Sequence, residues 1–490
     1  MPSQLLRTKN LGEILGAAQD SAHSLKRALG PVELTLLGIG AIIGAGIFAL
    51  VGTAAAGSPP ERLGSGPAIM AAFVITAFAC ALSALCYAEF ASVVPISGSA
   101  YTYSYFTLGE LVAWIIGWDL ILEYAVGNIA VAISWSGYMN QLLRGFGIHL
   151  PFWMTTNYNA PGLTRDMVES APHLFGFPIF CNLPAVFIVG LVTTVLVIGI
   201  KESSVFNSVM VVIKLVVLLF FIAVGAFYVK PENWVPFAPN GWQPIMTSAA
   251  VIFFAYIGFD AISTAAEETR DPQRNLPIAM IVSLAVCTVL YVAVAAVLTG
   301  IIPYHLLNVP EPLSLAFSYL KMDWAAGIVA FGAVVATTAV LLVFQLGQPR
   351  VFFSMSRDGL LPKWFATVHP RFRTPHVTTI LSGVFVAFFA AFMDIAEAAN
   401  LSSIGTLFAF VLVSGGVIVL RYKQPDLRRP FRTPLVPVIP ILGILTCGYL
   451  MYSLPWTTWV RFVVWLAVGL VIYFSYSRHH SKLYKRPAGE

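Results

Sequence analysis

Residues 38–48 read Gly38-Ile-Gly-Ala-Ile-Ile-Gly-Ala-Gly-Ile-Phe48, inside an apolar run from Leu34 to Ala56 that carries no charge. A helix that crosses a bilayer needs roughly 20 such residues, so the run is long enough. Its middle nevertheless holds Gly38, Gly40, Gly44 and Gly46. Glycine lowers the cost of leaving helical geometry. A departure at Gly44-Ala45-Gly46 would free backbone N–H and C=O groups that lipid cannot satisfy, so a break here must line a cavity or a ligand. The competing reading is a glycine face for close helix packing. A second interrupted helix later in the chain tips the balance toward the break.

Composition sets the class. The 490 residues are 58% hydrophobic and 10% charged, against about 25% charged in a soluble domain. This is a polytopic membrane protein. The net charge of +5 does not suggest nucleic acid, because the basic residues sit in short loops between apolar spans. Five cysteines, four of them within apolar runs, have neither the number nor the spacing of a disulfide framework or a zinc site. Residues 1–33 lack a signal-peptide core and read as a cytoplasmic segment with an interfacial helix.

Twelve spans are expected, near 34–56, 68–94, 107–138, 184–200, 204–229, 246–266, 277–302, 325–347, 377–394, 402–421, 435–454 and 459–476. With the N-terminus in the cytoplasm, 21 of the 28 Lys and Arg residues fall in cytoplasmic segments and six in external ones. That bias orients the chain, with both termini expected on the cytoplasmic side of the cell membrane. The remaining one, Lys214, lies within a span.

Span six is the second irregular element: Phe253-Phe-Ala-Tyr-Ile-Gly-Phe-Asp260 puts a glycine and a carboxylate at mid-membrane depth. Spans one and six are five apart, and an odd number of spans per repeat forces opposite orientations. Interrupted helices at equivalent positions of two halves point to a transporter's binding site. The organisation expected is all-α: repeat one over 34–229, repeat two over 246–421, two further helices over 435–476, and a tail over 477–490.

At these residues a resemblance becomes specific. Gly44-Ala-Gly-Ile-Phe48, Pro95-Ile-Ser-Gly-Ser-Ala-Tyr101, Phe253–Asp260, Glu267-Glu-Thr-Arg-Asp-Pro272 and Ser356-Arg-Asp-Gly-Leu-Leu-Pro362 resemble motifs of the amino acid–polyamine–organocation superfamily. Within it, the chain looks like bacterial permeases related to the cationic amino acid transporters. The resemblance implies the 5+5 inverted-repeat fold of the leucine transporter, with helices 1 and 6 broken, and amino acid transport. Ala45 is a departure, since relatives often carry Thr or Ser there.

A broken helix suits an amino acid. Free N–H groups at the restarted half meet a carboxylate, and free carbonyls at the end of the first half meet an ammonium. Supported by the resemblance, Ala45 and Gly46 are expected on the carboxylate. The carbonyls of Ile42, Ile43, Phe254, Ala255 and Ile257 are expected on the ammonium. Phe254 is also a candidate lid. Glu123, Asp260, Phe344 and Gln345 are expected to border the side-chain pocket or gate, although a carboxylate such as Glu123 or Asp260 equally suits a structural bond to broken backbone. Asp119 shares a helix face with Glu123. Glu89 closes span two as an interfacial or gating charge.

Lys214 stands in Val-Val-Ile-Lys-Leu-Val-Val, too far from a helix end to snorkel. A mid-membrane lysine is functional by default. In related proton-coupled members such a lysine occupies the place of a sodium ion between spans one and eight. The expected coupling ion is therefore the proton, with no other cofactor and no metal.

The function expected is secondary active, proton-coupled uptake of neutral L-amino acids, small or branched, because Phe344 and the apolar wall leave little room for a long cation. Cationic amino acids are the alternative, favoured by the family and by Glu123 and Asp260. A sensor or channel is more remote. The chain has no Walker A sequence, and no cluster of His, Asp or Cys near one interface suggests an enzyme.

Overall fold

The structure is a computed structural model of the chain, describing residues 5, 7–8, 29–58, 62–94, 99–158, 163–199 and 204–483. The interfacial helix expected before residue 33 lies largely outside the described residues, as does the expected cytoplasmic Lys201.

The chain folds as helices, with two short strand pairs in loops, Gly57–Ser58 with Arg62–Leu63 and His173–Leu174 with Phe177–Pro178. In chain order the helices used below are α1 (Pro31–Ile42), α2 (Val51–Ala56), α3 (Ile69–Val93), α4 (Ser99–Thr107), α5 (Glu110–Gly145), α6 (Arg165–Ser170), α7 (Leu183–Ile198), α8 (Ser204–Gly225), α9 (Trp242–Ile252), α10 (Pro272–Ile301), α11 (Pro312–Tyr319), α12 (Asp323–Arg357), α13 (His376–Phe392), α14 (Ile395–Lys423), α15 (Val438–Tyr452) and α16 (Trp456–Ile472). Their ends follow local chemistry. Pro31, Pro272 and Pro312 open helices at the position where a missing N–H is harmless. Asp394 caps α14 by accepting from the N–H groups of Ala396 and Glu397.

Eight segments are long and apolar enough to cross a bilayer, and α1 with Gly46–Ala56 forms a ninth, bent by 44°. The helices α7, α13 and α15 are apolar but shorter. Every expected span coincides with one of these segments, and the protein is a multi-pass membrane protein. Boundaries differ where hydropathy is a poor guide. The helix α12 continues past the expected end at 347 to Arg357, through Pro349 and into a basic end. Helical hydrogen bonding does not stop where the apolar run stops.

Packing places α5 and the Trp242–Ser263 segment at the centre, their apolar windows equally buried. The apolar window of α5 is 89% buried, against 22% for the Trp456–His480 segment at the periphery. The helix α5 packs most extensively on α12, α3 packs on α10, and α7 packs on α13. Phe385, Phe388, Val463 and Val464 face outward, as lipid-facing side chains do.

Candidate functional site

The first break lies at Ile43 and Gly44. Ile43 turns extended, with φ −74° and ψ 103°, and Ala45 is helical again with φ −54° and ψ −23°. The sequence places the break at Gly44-Ala45-Gly46, so the structure moves it toward the N-terminus. The chain then winds as a π-helix over Gly46–Leu50 before α2. Within that wider turn the Phe48 carbonyl accepts a hydrogen bond from the Tyr138 hydroxyl of α5.

The second break follows α9. A 3-10 turn over Phe253–Tyr256 ends at Ile257, with φ −59° and ψ 135°. Gly258 takes φ +120°, a conformation that L side chains rarely adopt. The helix restarts as a 3-10 turn over Asp260–Glu268, and Asp260 Oδ1 accepts from the Gly258 N–H at 3.3 Å. Asp260 thus caps the broken backbone, one of the two readings open from sequence.

The two breaks touch. A Cβ on Gly46 would lie 2.3 Å from Ala255 Cα, and one on Gly258 would lie 2.8 Å from the Ala41 carbonyl oxygen. Glycine at both places is a condition of that contact. The segments are enclosed: Ala45 is fully buried, and Ile42, Phe254, Ala255 and Ile257 are each at most 5% exposed.

Two side chains hold the crossing. Lys214 Nζ of α8, 1% exposed, donates to the carbonyls of Gly40 at 2.7 Å and Ile43 at 3.1 Å. Gly40 lies in the last turn of α1 and Ile43 at the first break, so the lysine ties α8 to the end of α1. The Tyr291 hydroxyl of α10 bridges the breaks, lying 2.9 Å from the Ile42 carbonyl and 3.0 Å from that of Ala255. Sequence reasoning passed over Tyr291. The signal was the one tyrosine in the apolar run of α10, whose phenol hydroxyl must find a partner inside a membrane. The carbonyls of Ile42, Ile43 and Ala255, read as free from the sequence, therefore each have a partner already. Each keeps a second lone pair.

The wall opposite is α5. Gly127 leaves room for Phe344, whose ring atoms would lie 2.9 Å from a Cβ there, and Phe254 comes within 3.9 Å of the same point. Tyr124 meets Phe344 edge-on at 5.8 Å. Glu123 is buried beside Thr406 of α14, within electrostatic reach of Asp260. Asp119, one turn away, is fully buried with no hydrogen-bond partner among the described residues. Gln345 is corrected: it sits about a quarter turn from Phe344 and points away, its amide donating to the Thr193 hydroxyl of α7 at 2.5 Å. Neighbouring helix positions cannot share a face.

A sequence model of the amino acid permease family matches residues 29–476. The chain is similar to the branched-chain amino acid permease BcaP of Bacillus subtilis (strain 168), with 51% identity over 99% of this chain and all of that protein. It is also similar to the methylthioribose transporter of the same organism, at 49% over 99% of this chain and all of that protein. The vacuolar cationic amino acid transporter 4 of Arabidopsis thaliana is 39% identical over 86% of this chain and 68% of its own length.

Proposed function

The chain belongs to the amino acid permease family, and from that membership we propose a secondary active transporter that takes up neutral, small or branched-chain L-amino acids with protons. In this reading twelve segments cross the cell membrane, both termini face the cytoplasm, and two inverted repeats of five spans are followed by two helices. The pairing of α3 with α10, α5 with α12 and α7 with α13, and the contact of the two breaks, support that reading, since each joins segments five apart.

The carrying observation is the crossing of two broken helices against a buried lysine. Substrate carboxylate meets the restarted backbone at Ala45 and Gly46. Substrate ammonium meets the remaining lone pairs of the Ile42, Ile43, Phe254, Ala255 and Ile257 carbonyls. The aromatic wall of Phe254 and Phe344 takes an apolar side chain. A long cation is disfavoured because Asp260 is committed to the Gly258 N–H. The name of one relative at 51% identity, a branched-chain permease, agrees.

Protonated Lys214 holds α8 to the end of α1; neutral, it keeps fewer donors and loosens that hold, so the proton biases a two-state element. The test is uptake into proteoliposomes under imposed pH and sodium gradients, with labelled Val, Leu, Ala, Arg and methylthioribose. Uptake should follow the proton gradient, ignore sodium, and be competed best by Val, Leu or Ala. Lys214→Ala and Lys214→Arg should both lose accumulation, because arginine stays charged. Sodium dependence, or accumulation by Lys214→Ala, would sink the coupling role; better competition by Arg or methylthioribose would sink the substrate assignment.

A further inference from the structure

A cavity of about 300 Å³ opens where the end of α7 and the start of α13 meet the Gln345–Arg350 stretch of α12, with no residue of either helix break in its lining. Its lining carries two guanidinium groups, Arg350 and Arg373, and no carboxylate. Among the described residues neither arginine has an acidic partner. The first turn of α13 begins here, at Pro375, and presents the positive end of a 17-residue helix. Leu196, Leu346 and Pro349 form the apolar side.

The basic rim is held in shape. Arg373 sits at φ +57°, an uncommon conformation for a side chain of its size. Its N–H donates to the His369 carbonyl at 2.9 Å, and the His369 N–H donates to the Thr374 carbonyl at 2.8 Å. The Thr374 hydroxyl in turn donates to the Val197 carbonyl at the end of α7, 2.8 Å away. The loop is thereby pinned to a membrane helix. Beside the mouth, Ile198 and Ile380 are 55% and 45% exposed, as residues that meet acyl chains are.

We propose that this cavity binds the phosphate of an anionic phospholipid. Both guanidinium groups and the first free N–H groups of α13 meet the phosphate oxygens, and the acyl chains run along Ile198 and Ile380. Paired arginines suit phosphate because each offers a planar fork of donors. A basic pocket between helix ends at a membrane surface is where such headgroups lodge. The apolar wall distinguishes a lipid from a free ion, which would gain nothing from Leu196 and Leu346. The assignment does not depend on which substrate is carried, and its test reads binding, not transport.

The purified full chain in detergent is titrated with phosphatidylglycerol, with phosphatidylcholine and with inorganic phosphate. Retained lipid is read by native mass spectrometry and stabilisation by thermal melting. Phosphatidylglycerol should be preferred over phosphatidylcholine. Each arginine is expected to contribute roughly fivefold to that preference, so R350Q/R373Q should lose on the order of 25-fold. R350K/R373K should keep much of it. If the double variant does not fold, R350Q and R373Q singly, each losing about fivefold, carry the test. Equal retention of the two lipids by the unaltered chain, or an undiminished preference in R350Q/R373Q, overturns the site. Stabilisation by inorganic phosphate that matches phosphatidylglycerol, and competes with it, overturns the lipid assignment.

Discussion

At Tyr291 one hydroxyl proton faces two acceptors, the carbonyls of Ile42 and Ala255. A phenol donates only one hydrogen bond at a time, so the two breaks share it. Removing the hydroxyl while keeping the ring leaves two buried carbonyls short of a donor. Tyr291→Phe is expected to cost about 1–2 kcal/mol of stability and to weaken substrate binding, because the breaks are no longer held in register. Thermal melting and equilibrium binding of labelled substrate check it; a variant that matches the parent in both would remove Tyr291 from the site. The glycines answer to the same geometry. Gly46 lies against the Ala255 backbone, whereas a Cβ on Gly44 would meet the Val340 side chain, nearest at Cγ2, 3.1 Å away. Read from sequence, the two look interchangeable. Only Gly46 is fixed by backbone contact.

Helices are tied at their ends by a second buried charge network. Glu89, at the end of α3 and fully buried, accepts from Arg421 Nε at 2.8 Å and Nη2 at 2.9 Å, and from the Thr433 N–H at 2.8 Å. Arg429 Nε lies 3.2 Å from the same carboxylate, and its side chain is 2% exposed. Reading Glu89 as a charge at the membrane edge located it correctly on α3, but the partners come from α14 and the loop after it, more than 300 residues along the chain. Glu89→Gln keeps the volume and removes the charge, leaving Arg429 buried and uncompensated. The expected loss is about 3 kcal/mol or more, seen as a lower melting temperature in detergent. An unchanged melt would mean that the network contributes nothing to holding α3 against α14.

Across the whole molecule, loops close over the central helix α5, and one of them titrates. Glu311, at the start of α11, packs against α5, where a Cβ on Gly137 would lie 2.7 Å from its Oε2. Burial pushes its carboxyl up from 4.5 to about 7, and the positive charge of Arg144 partly opposes the shift. A carboxyl whose pKa is raised on folding binds its proton more tightly in the folded state, so its contribution to stability is complete below the unfolded value. That contribution is lost as pH rises from about 4.5 through about 7. Glu311→Gln should flatten the difference in melting temperature between the two ends of this window relative to the parent. Parallel pH profiles for the two proteins would show that Glu311 is solvated in both states.

The one-dimensional pattern determined what depends on local chemistry. Uncharged runs mark where helices cross, and glycines five spans apart mark where two helices break, because bilayer cost is paid residue by residue. Lys214 was legible for the same reason: a lone ammonium in an apolar run has no local explanation. Tertiary structure alone decided the partners. That Lys214 donates to the end of α1, that Tyr291 joins both breaks, and that Gln345 turns to Thr193 follow from helix rotation and crossing. Those are set by side-chain packing between distant segments. A membrane span's hydropathy is nearly uniform around its circumference, as the small apolar bias of α12 illustrates. It therefore carries little record of which face turns inward.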